Sequence, residues 1–241
     1  MGQTLTEQIF SHALGRAVVP GEIVVVKPDV VMSHDSLTPG IIDILEKEFG
    51  KTTVYDPQQL VFSFDHVAPA ATVGTADSQN KVRAFARAQK IRLFEVGRGI
   101  CHQVLVEEGI AQPGFIIMGA DSHSTSYGAV GAFGSGMGST DVAVIWATGK
   151  TWLRVPETVR VLVTGKFRFG VGPKDLALKI GRILTISGAT YQAIEYHGLE
   201  WMPLHGRQTL SSMAVELGAK AGIVPPSGEI LRRYQVPEWL F

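Results

Sequence analysis

The 241-residue chain carries 22 Lys plus Arg against 22 Asp plus Glu, and 45% of its residues are hydrophobic. The apolar fraction is ample for an extensive core, and the balanced charge lacks the basic excess of a nucleic-acid binder or of a protein held to an anionic membrane. No apolar run reaches bilayer-spanning length and the opening Met1-Gly2-Gln3-Thr4 has no charged-then-apolar leader, so a soluble cytoplasmic protein acting on a small molecule is expected.

Thr4 and Glu7 stand at capping-box spacing and Leu5, Ile9 and Leu14 recur at roughly helical spacing, predicting a short first helix without evident chemistry. Residues 22–27 read as a buried strand, and a brief apolar extension leads to His34-Asp35-Ser36. Thr38-Pro39 supplies a cap and first turn for a helix that Gly50 stops. The next apolar run, 60–64, ends in Asp65-His66, and Pro69 breaks the chain before a polar-faced helix to about Lys90. Residues 91–96 are a further strand, followed by Gly97-Arg98-Gly99 and by His102 in the first turn of a helix. The run Phe115-Ile116-Ile117-Met118 then releases Asp121-Ser122-His123 just past its carboxyl end, ahead of the glycine-dense loop 131–138. Four apolar runs alternating with helices, each with an imidazole near its end, predict a parallel sheet with right-handed crossovers. Such a sheet gathers the four clusters along one edge, where open α/β sheets bind ligands.

A helix over 140–148 closes this unit, and 151–156 reads as the crossing to a second. There a strand is expected at 158–164, a helix at 173–187 and a strand over 188–196 ending near Glu195-Tyr196-His197. After the turn-like 202–206, a helix over 209–220 would carry Ser212 and Glu216 on one face, four residues apart. The close on Trp239-Leu240-Phe241 is apolar where termini are usually polar, which predicts that the fold continues in the parent protein. The expectation is an α/β fold of two domains: a first three-layer domain at 1–157 and a second, incomplete one at 158–241.

Taken singly, these groups have ordinary readings beside the chemical ones. Asp65-His66 is an oriented acid–base pair or a surface pair at a strand end. Cys101 beside His102 is a thiol–imidazole pair only if neighbouring helical residues face each other, which they do not. Asp121-Ser122-His123 lacks the glycines of a nucleophile elbow, and loop 131–138 lacks the Lys-Ser/Thr or the strand-and-acid context of a nucleotide loop. Its glycines serve anion binding or tight packing. Glu216, Ser212 and Tyr196-His197 have solvated or satisfied readings. The coincidence of His34, Asp65-His66, His102 and Asp121-Ser122-His123 at the ends of strands of one sheet favours a common site. The single cysteine, Cys101, excludes an internal disulfide and cannot alone hold a zinc or iron–sulfur centre.

These stretches, with Asp65-His66-Val67-Ala68-Pro69, Gly97-Arg98-Gly99-Ile100-Cys101-His102-Gln103, the glycine-rich 119–140, Thr151 to Glu157 and Gly218-Ala219-Lys220-Ala221-Gly222, resemble the aconitase superfamily. Within it the chain is similar to the large subunits of 3-isopropylmalate dehydratase and homoaconitase, and resembles the homoaconitase-like ones most, particularly in Cys101-His102-Gln103-Val104-Leu105 and Thr151 to Glu157. The resemblance implies reversible dehydration and rehydration of a hydroxy di- or tricarboxylate in lysine or leucine biosynthesis, with one iron of a [4Fe-4S] cluster as Lewis acid. It implies that Asp65 orients His66, the acid that protonates the departing hydroxyl. His102, Asp121 and His123 would bond the metal-bound oxygen and neighbouring substrate oxygens, and Ser122 and His34 would bind substrate carboxylate. Glu216 matches an acid near the iron, and Ser212 stands where relatives often carry Asn. The cluster cysteines, the carboxylate-binding arginines and the basic serine belong, in the family, to a third domain and to a small subunit or swivelling domain. The isolated chain is therefore expected to be inactive and to depend on those partners. Two rivals remain open: a split, catalytically incomplete binding and assembly subunit, and a mononuclear metal hydrolase using His34, His66, His102 and His123 as ligands.

Overall fold

The computed structural model describes residues 2–240; Met1 and Phe241, the outermost residues of the two terminal motifs, lie outside the described residues. Helix α1 (Leu5–Leu14) opens on the expected capping box, with the Glu7 N–H donating to Thr4 Oγ1 at 3.2 Å and the Thr4 N–H to Glu7 Oε2 at 2.8 Å. Two strands follow, β1 (Ile23–Val26) and β2 (Val30–His34), where one extended strand was expected. Only β2 is buried throughout; β1 alternates exposed and buried residues. Helix α2 (Thr38–Phe49) ends at Gly50, and Thr38 is its first residue, not its cap: the Thr38 hydroxyl donates back to the His34 carbonyl at 2.8 Å.

Next come β3 (Leu60–Ser63), α3 (Val73–Gln89), β4 (Arg92–Phe94), α4 (Cys101–Glu107), β5 (Ile116–Gly119) and a 3-10 helix, Ser122–Val130. The stretch read as a glycine loop contains a strand, β6 (Phe133–Gly136), which leads into α5 (Ser139–Thr148). These strands form a five-stranded parallel sheet in the order β4-β3-β2-β5-β6. Alternate strand residues face opposite layers. Val31, Leu60, Phe62, Ile116 and Met118 pack with α1, α2, α3 and α5, whereas Val30, Met32, Val61 and Ile117 pack with α4 and Tyr127. Both faces are covered, as parallel sheets require.

The expected crossing, β7 (Thr151–Arg154), turns back to pair antiparallel with β1. Beyond it, β8 (Thr158–Leu162), α6 (Pro173–Leu184), β9 (Ala193–His197), α7 (Leu204–Met213), β10 (Ala221–Ile223) and α8 (Glu229–Arg233) build a three-stranded parallel sheet, β10-β9-β8, under α6 and α7. The helix expected at 209–220 is displaced. It starts at Leu204 after Pro203 and ends at Met213, so Ser212 lies in its last turn and Glu216 in a separate 3-10 turn, Val215–Leu217. At the chain's close, Trp239 stacks on His12 with centroids 4.1 Å apart, and Leu240 is buried. Mainly parallel sheets between helices make this an α/β fold, and no helix among the described residues is long and apolar enough to cross a membrane.

Candidate active site

The carboxyl ends of β2, β3 and β5 and the start of α4 meet at one edge of the large sheet, because parallel strands in adjacent register end together. Immediately after β2, the buried Asp35 fixes the loop that follows β3. Its carboxylate accepts from the backbone N–H groups of Asp65 (3.4 Å), His66 (3.0 Å) and Val67 (3.1 Å), and from Gln79 Nε2 (3.2 Å). In that loop His66 Nδ1 donates to Asp65 Oδ1 at 2.9 Å, and Asp65 Oδ2 accepts the first N–H of α4, from Cys101, at 2.5 Å. One carboxylate thus sets both the tautomer of His66 and the position of the helix that bears His102.

Asp121 is the point on which the imidazoles converge. Its Oδ1 accepts from His102 Nε2 at 2.7 Å and from the His123 backbone N–H at 2.8 Å, while Oδ2 lies 3.5 Å from His66 Nε2 and 4.0 Å from His34 Nε2. With its Nε2–H given to Asp121, His102 faces the Tyr127 hydroxyl through Nδ1 at 3.4 Å. The His34 ring stacks on His66 with centroids 3.6 Å apart and planes 12° from parallel, and its Nδ1 pairs with Ser36 Oγ at 3.0 Å. His123, on the 3-10 helix, reaches Ser122 Oγ through Nδ1 (3.2 Å) and Glu216 Oε1 through Nε2 (3.1 Å).

The electrostatics separate the roles. Partial burial opposes the Asp121 charge, but the His102 hydrogen bond and charge, the His123 N–H and His34 outweigh it and hold the carboxyl well below the usual range. Burial likewise opposes a charge on His66, yet the Asp65 hydrogen bond and charge, with Asp121 and Asp35, raise its pKa above the ordinary histidine value. His34 goes the other way: burial first, and His66 second, push its pKa down. The stack therefore pairs a ring whose environment favours its protonated form with one whose environment disfavours it.

Every residue picked from the sequence for this site lies at it except Ser212, whose side chain has no hydrogen bond to the imidazoles; its backbone carbonyl accepts from Thr125 Oγ1 at 3.3 Å. Glu216 is exposed yet bonded to His123, not merely solvated, although it does not share a continuous α-helix with Ser212. The Tyr196-His197 pair is satisfied: His197 bonds the buried Glu195, which also accepts the Thr6 N–H of α1. Asp35 and Tyr127 are the residues that sequence reasoning passed over. The signal for Asp35 was its place directly after His34 at a strand end; for Tyr127 no spacing marks it.

Among the described residues, two clusters bring three metal-capable atoms together, His34 with His66 and Asp121, and Asp65 with His66 and Cys101. Neither is a four-histidine site. An imidazole binds a metal in its own ring plane, and the nearly parallel planes of His34 and His66 do not meet at a shared ion. Cys101 is fully buried at the start of α4, and burial together with Asp65 pushes its thiol far above the usual cysteine range. These residues do not fit an iron–sulfur cluster by themselves.

The family model of the aconitase family (aconitate hydratase) matches residues 7–236. The 3-isopropylmalate dehydratase large subunit of Herpetosiphon aurantiacus is 53% identical over the whole chain, and the homoaconitase large subunit of Thermus thermophilus is 52% identical over the whole chain. The probable methanogen homoaconitase large subunit of Methanothermobacter thermautotrophicus is 46% identical over 94% of it. The chain covers 57%, 58% and 55% of these relatives, a little more than half of their length. With the motifs folded around one carboxylate and a match that runs nearly end to end, the chain belongs to the aconitase family.

Proposed function

We propose that this chain is the N-terminal portion of the large subunit of a hydro-lyase that isomerises a hydroxy di- or tricarboxylate by dehydration and rehydration, of the homoaconitase or 3-isopropylmalate dehydratase type. The observation that carries the reading is the convergence of His34, His66, His102 and His123 on Asp121 beside a second, oriented pair, Asp65–His66. Loss of a hydroxyl from saturated carbon needs a proton delivered to the departing oxygen. His66 is the group prepared for it: Asp65 holds Nδ1–H, the neighbouring carboxylates raise its pKa and so favour the protonated form, and Nε2 lies 3.5 Å from Asp121 Oδ2. In the hydration direction neutral His66 takes that proton back from water. Asp121 stays ionised, fixes His102 and the start of the 3-10 helix, and leaves Oδ2 free to accept from the departing water. His123, held by Glu216, and Ser122 offer donors to substrate oxygen and carboxylate.

When bound, the family's [4Fe-4S] cluster supplies Lewis acidity toward the hydroxyl. Because Cys101 is unsuited to ligate it, its cysteines come from polypeptide outside these 241 residues, as does the base that removes the carbon-bound proton. The isolated chain is accordingly inactive. The two-domain reading, 1–157 and 158–241, is supported by the separate sheets β2–β6 and β8–β10 and is checked by limited proteolysis.

The test is anaerobic reconstitution of the chain with iron and sulfide, alone and together with a cysteine-bearing C-terminal portion and a small subunit from a relative. Hydration of the unsaturated acid, followed by its ultraviolet absorbance, should occur only in the complete mixture and should vanish with His66→Ala. A cluster with turnover in the chain alone would refute the reading, and so would stoichiometric zinc or manganese that survives dialysis.

A further inference from the structure

A cavity of about 400 Å³ is lined by Ser122 together with Ser135, Gly138, Asp141 and Lys220. Three of its features keep donors to spare, although the Lys220 ammonium also lies over the Tyr191 ring, 5.5 Å from its centroid. The Lys220 ammonium has a single, long hydrogen bond, to the Gly136 carbonyl at 3.3 Å, and no carboxylate among the described residues lies within ion-pair distance of it. An ammonium has three donors, so two are unspent. The Ser135 hydroxyl is fully buried and bonded to nothing. Helix α5 begins at this cavity on Gly138 without a side-chain cap, so the N–H groups of its first turn lack a capping acceptor, although Asp141 in that turn already offsets part of the helix dipole. Burial works against the Lys220 charge, and Asp141 favours it.

A half-buried cation, a buried hydroxyl donor and an uncapped helix start around one recess all call for oxygen acceptors. We propose that this cavity is a carboxylate subsite in which Lys220 and Ser135 bind a substrate carboxylate remote from the reacting hydroxyl, Ser122 standing at the junction with the imidazoles. The proposal rests on the dehydratase reading for the identity of the ligand, a hydroxy di- or tricarboxylate. It adds a positive charge to a site whose own side chains are otherwise histidines, hydroxyls and acids. Gly136, to which Lys220 is tied, packs so closely under the site that a Cβ there would come within 2.7 Å of the Asp121 carbonyl and 2.9 Å of Ser122 Cα. An anion on Lys220 is therefore felt directly beneath Asp121–Ser122.

The test uses the full chain and propane-1,2,3-tricarboxylate, a probe that has no hydroxyl to lose, followed by calorimetry and by amide shifts at 135–141 and 220. Wild type should bind saturably. Lys220→Met should weaken binding about ten- to a hundredfold, the loss of one charge-assisted hydrogen bond. Ser135→Ala should weaken it about three- to tenfold, and Asp141→Asn, by removing a like charge, should strengthen it. Lys220→Arg, which keeps the charge, guards against misfolding and should stay within about threefold of wild type. Absence of saturable binding, equal binding by Lys220→Met, or weaker binding by Asp141→Asn would each overturn the subsite. Lys220-dependent binding in a chain that fails the reconstitution test counts against the dehydratase reading alone. An unchanged KM for Lys220→Met in an active reconstituted enzyme counts against the subsite alone.

Discussion

Asp65→Asn isolates the charge that prepares His66. The substitution keeps shape and an acceptor oxygen for His66 Nδ1 but removes the anion 2.9 Å away. A unit pair at that distance is worth about 6 kcal/mol at an effective dielectric of 20 and about 1.4 kcal/mol at that of water. Because the His66 side chain is 35% exposed, screening places the loss near the lower figure, about a tenfold fall in the ratio of imidazolium to imidazole at fixed pH. The assay is a proton NMR titration of the His66 ring in both proteins at matched ionic strength; the midpoint should move to lower pH, and burial, which remains, should reinforce the change. The sign carries over to stability. A raised pKa contributes stability that is fully present below the unfolded histidine value and is lost as pH rises through the folded one, so the variant's deficit in urea should shrink as pH climbs out of the acid range. An unchanged His66 midpoint in a folded Asp65→Asn protein would refute the assignment of His66 as the prepared acid.

Asp35→Ala strips four donors of a buried acceptor and should cost about 3–5 kcal/mol in urea unfolding, with the signals of residues 65–67 broadened. Asp121, with its depressed pKa, contributes stability that is present above the ordinary carboxylate value and lost as pH falls through the lower folded value. Asp121→Asn should therefore flatten the acid limb of a stability–pH curve; an unaltered limb would contradict the role given to that carboxylate. Gly128→Ala would place a Cβ 1.9 Å from the Gly222 carbonyl oxygen, backbone that yields little. It should cost about 3 kcal/mol or more, read as a lower thermal midpoint, and should uncouple His123 from Glu216.

Much of this architecture is legible in the residues. The capping box at Thr4 and Glu7, the stop at Gly50 and the apolar runs at 60–64 and 115–118 each act locally, and each formed as expected. The failures have tertiary causes. Ile23-Val24-Val25-Val26 is apolar at every position, so the alternation that distinguishes the half-exposed β1 from the buried β2 cannot be seen in it. Phe133-Gly134-Ser135-Gly136 has little strand propensity; it pairs with β5 because its glycines admit the 3-10 helix, a Cβ at Gly134 falling 2.3 Å from the Ser124 carbonyl oxygen. In the site, the histidines announced themselves by following strands, whereas Asp35 acts through backbone N–H groups thirty residues away and Lys220 through a strand edge that only the folded chain brings near.

The Ser122–Val130 helix is wedged between β6 on one side and α7 and β10 on the other; its Gly128 carbonyl accepts the Val224 N–H at 2.9 Å, and its Thr125 hydroxyl reaches Ser212. Spacing among the imidazoles is thus set partly by residues some ninety positions downstream that never meet a reactant. Lesions that displace Ser212 or Val224 would register in kinetics as though they had struck His123, and a fragment ending before 204 would keep the histidines but forfeit their geometry.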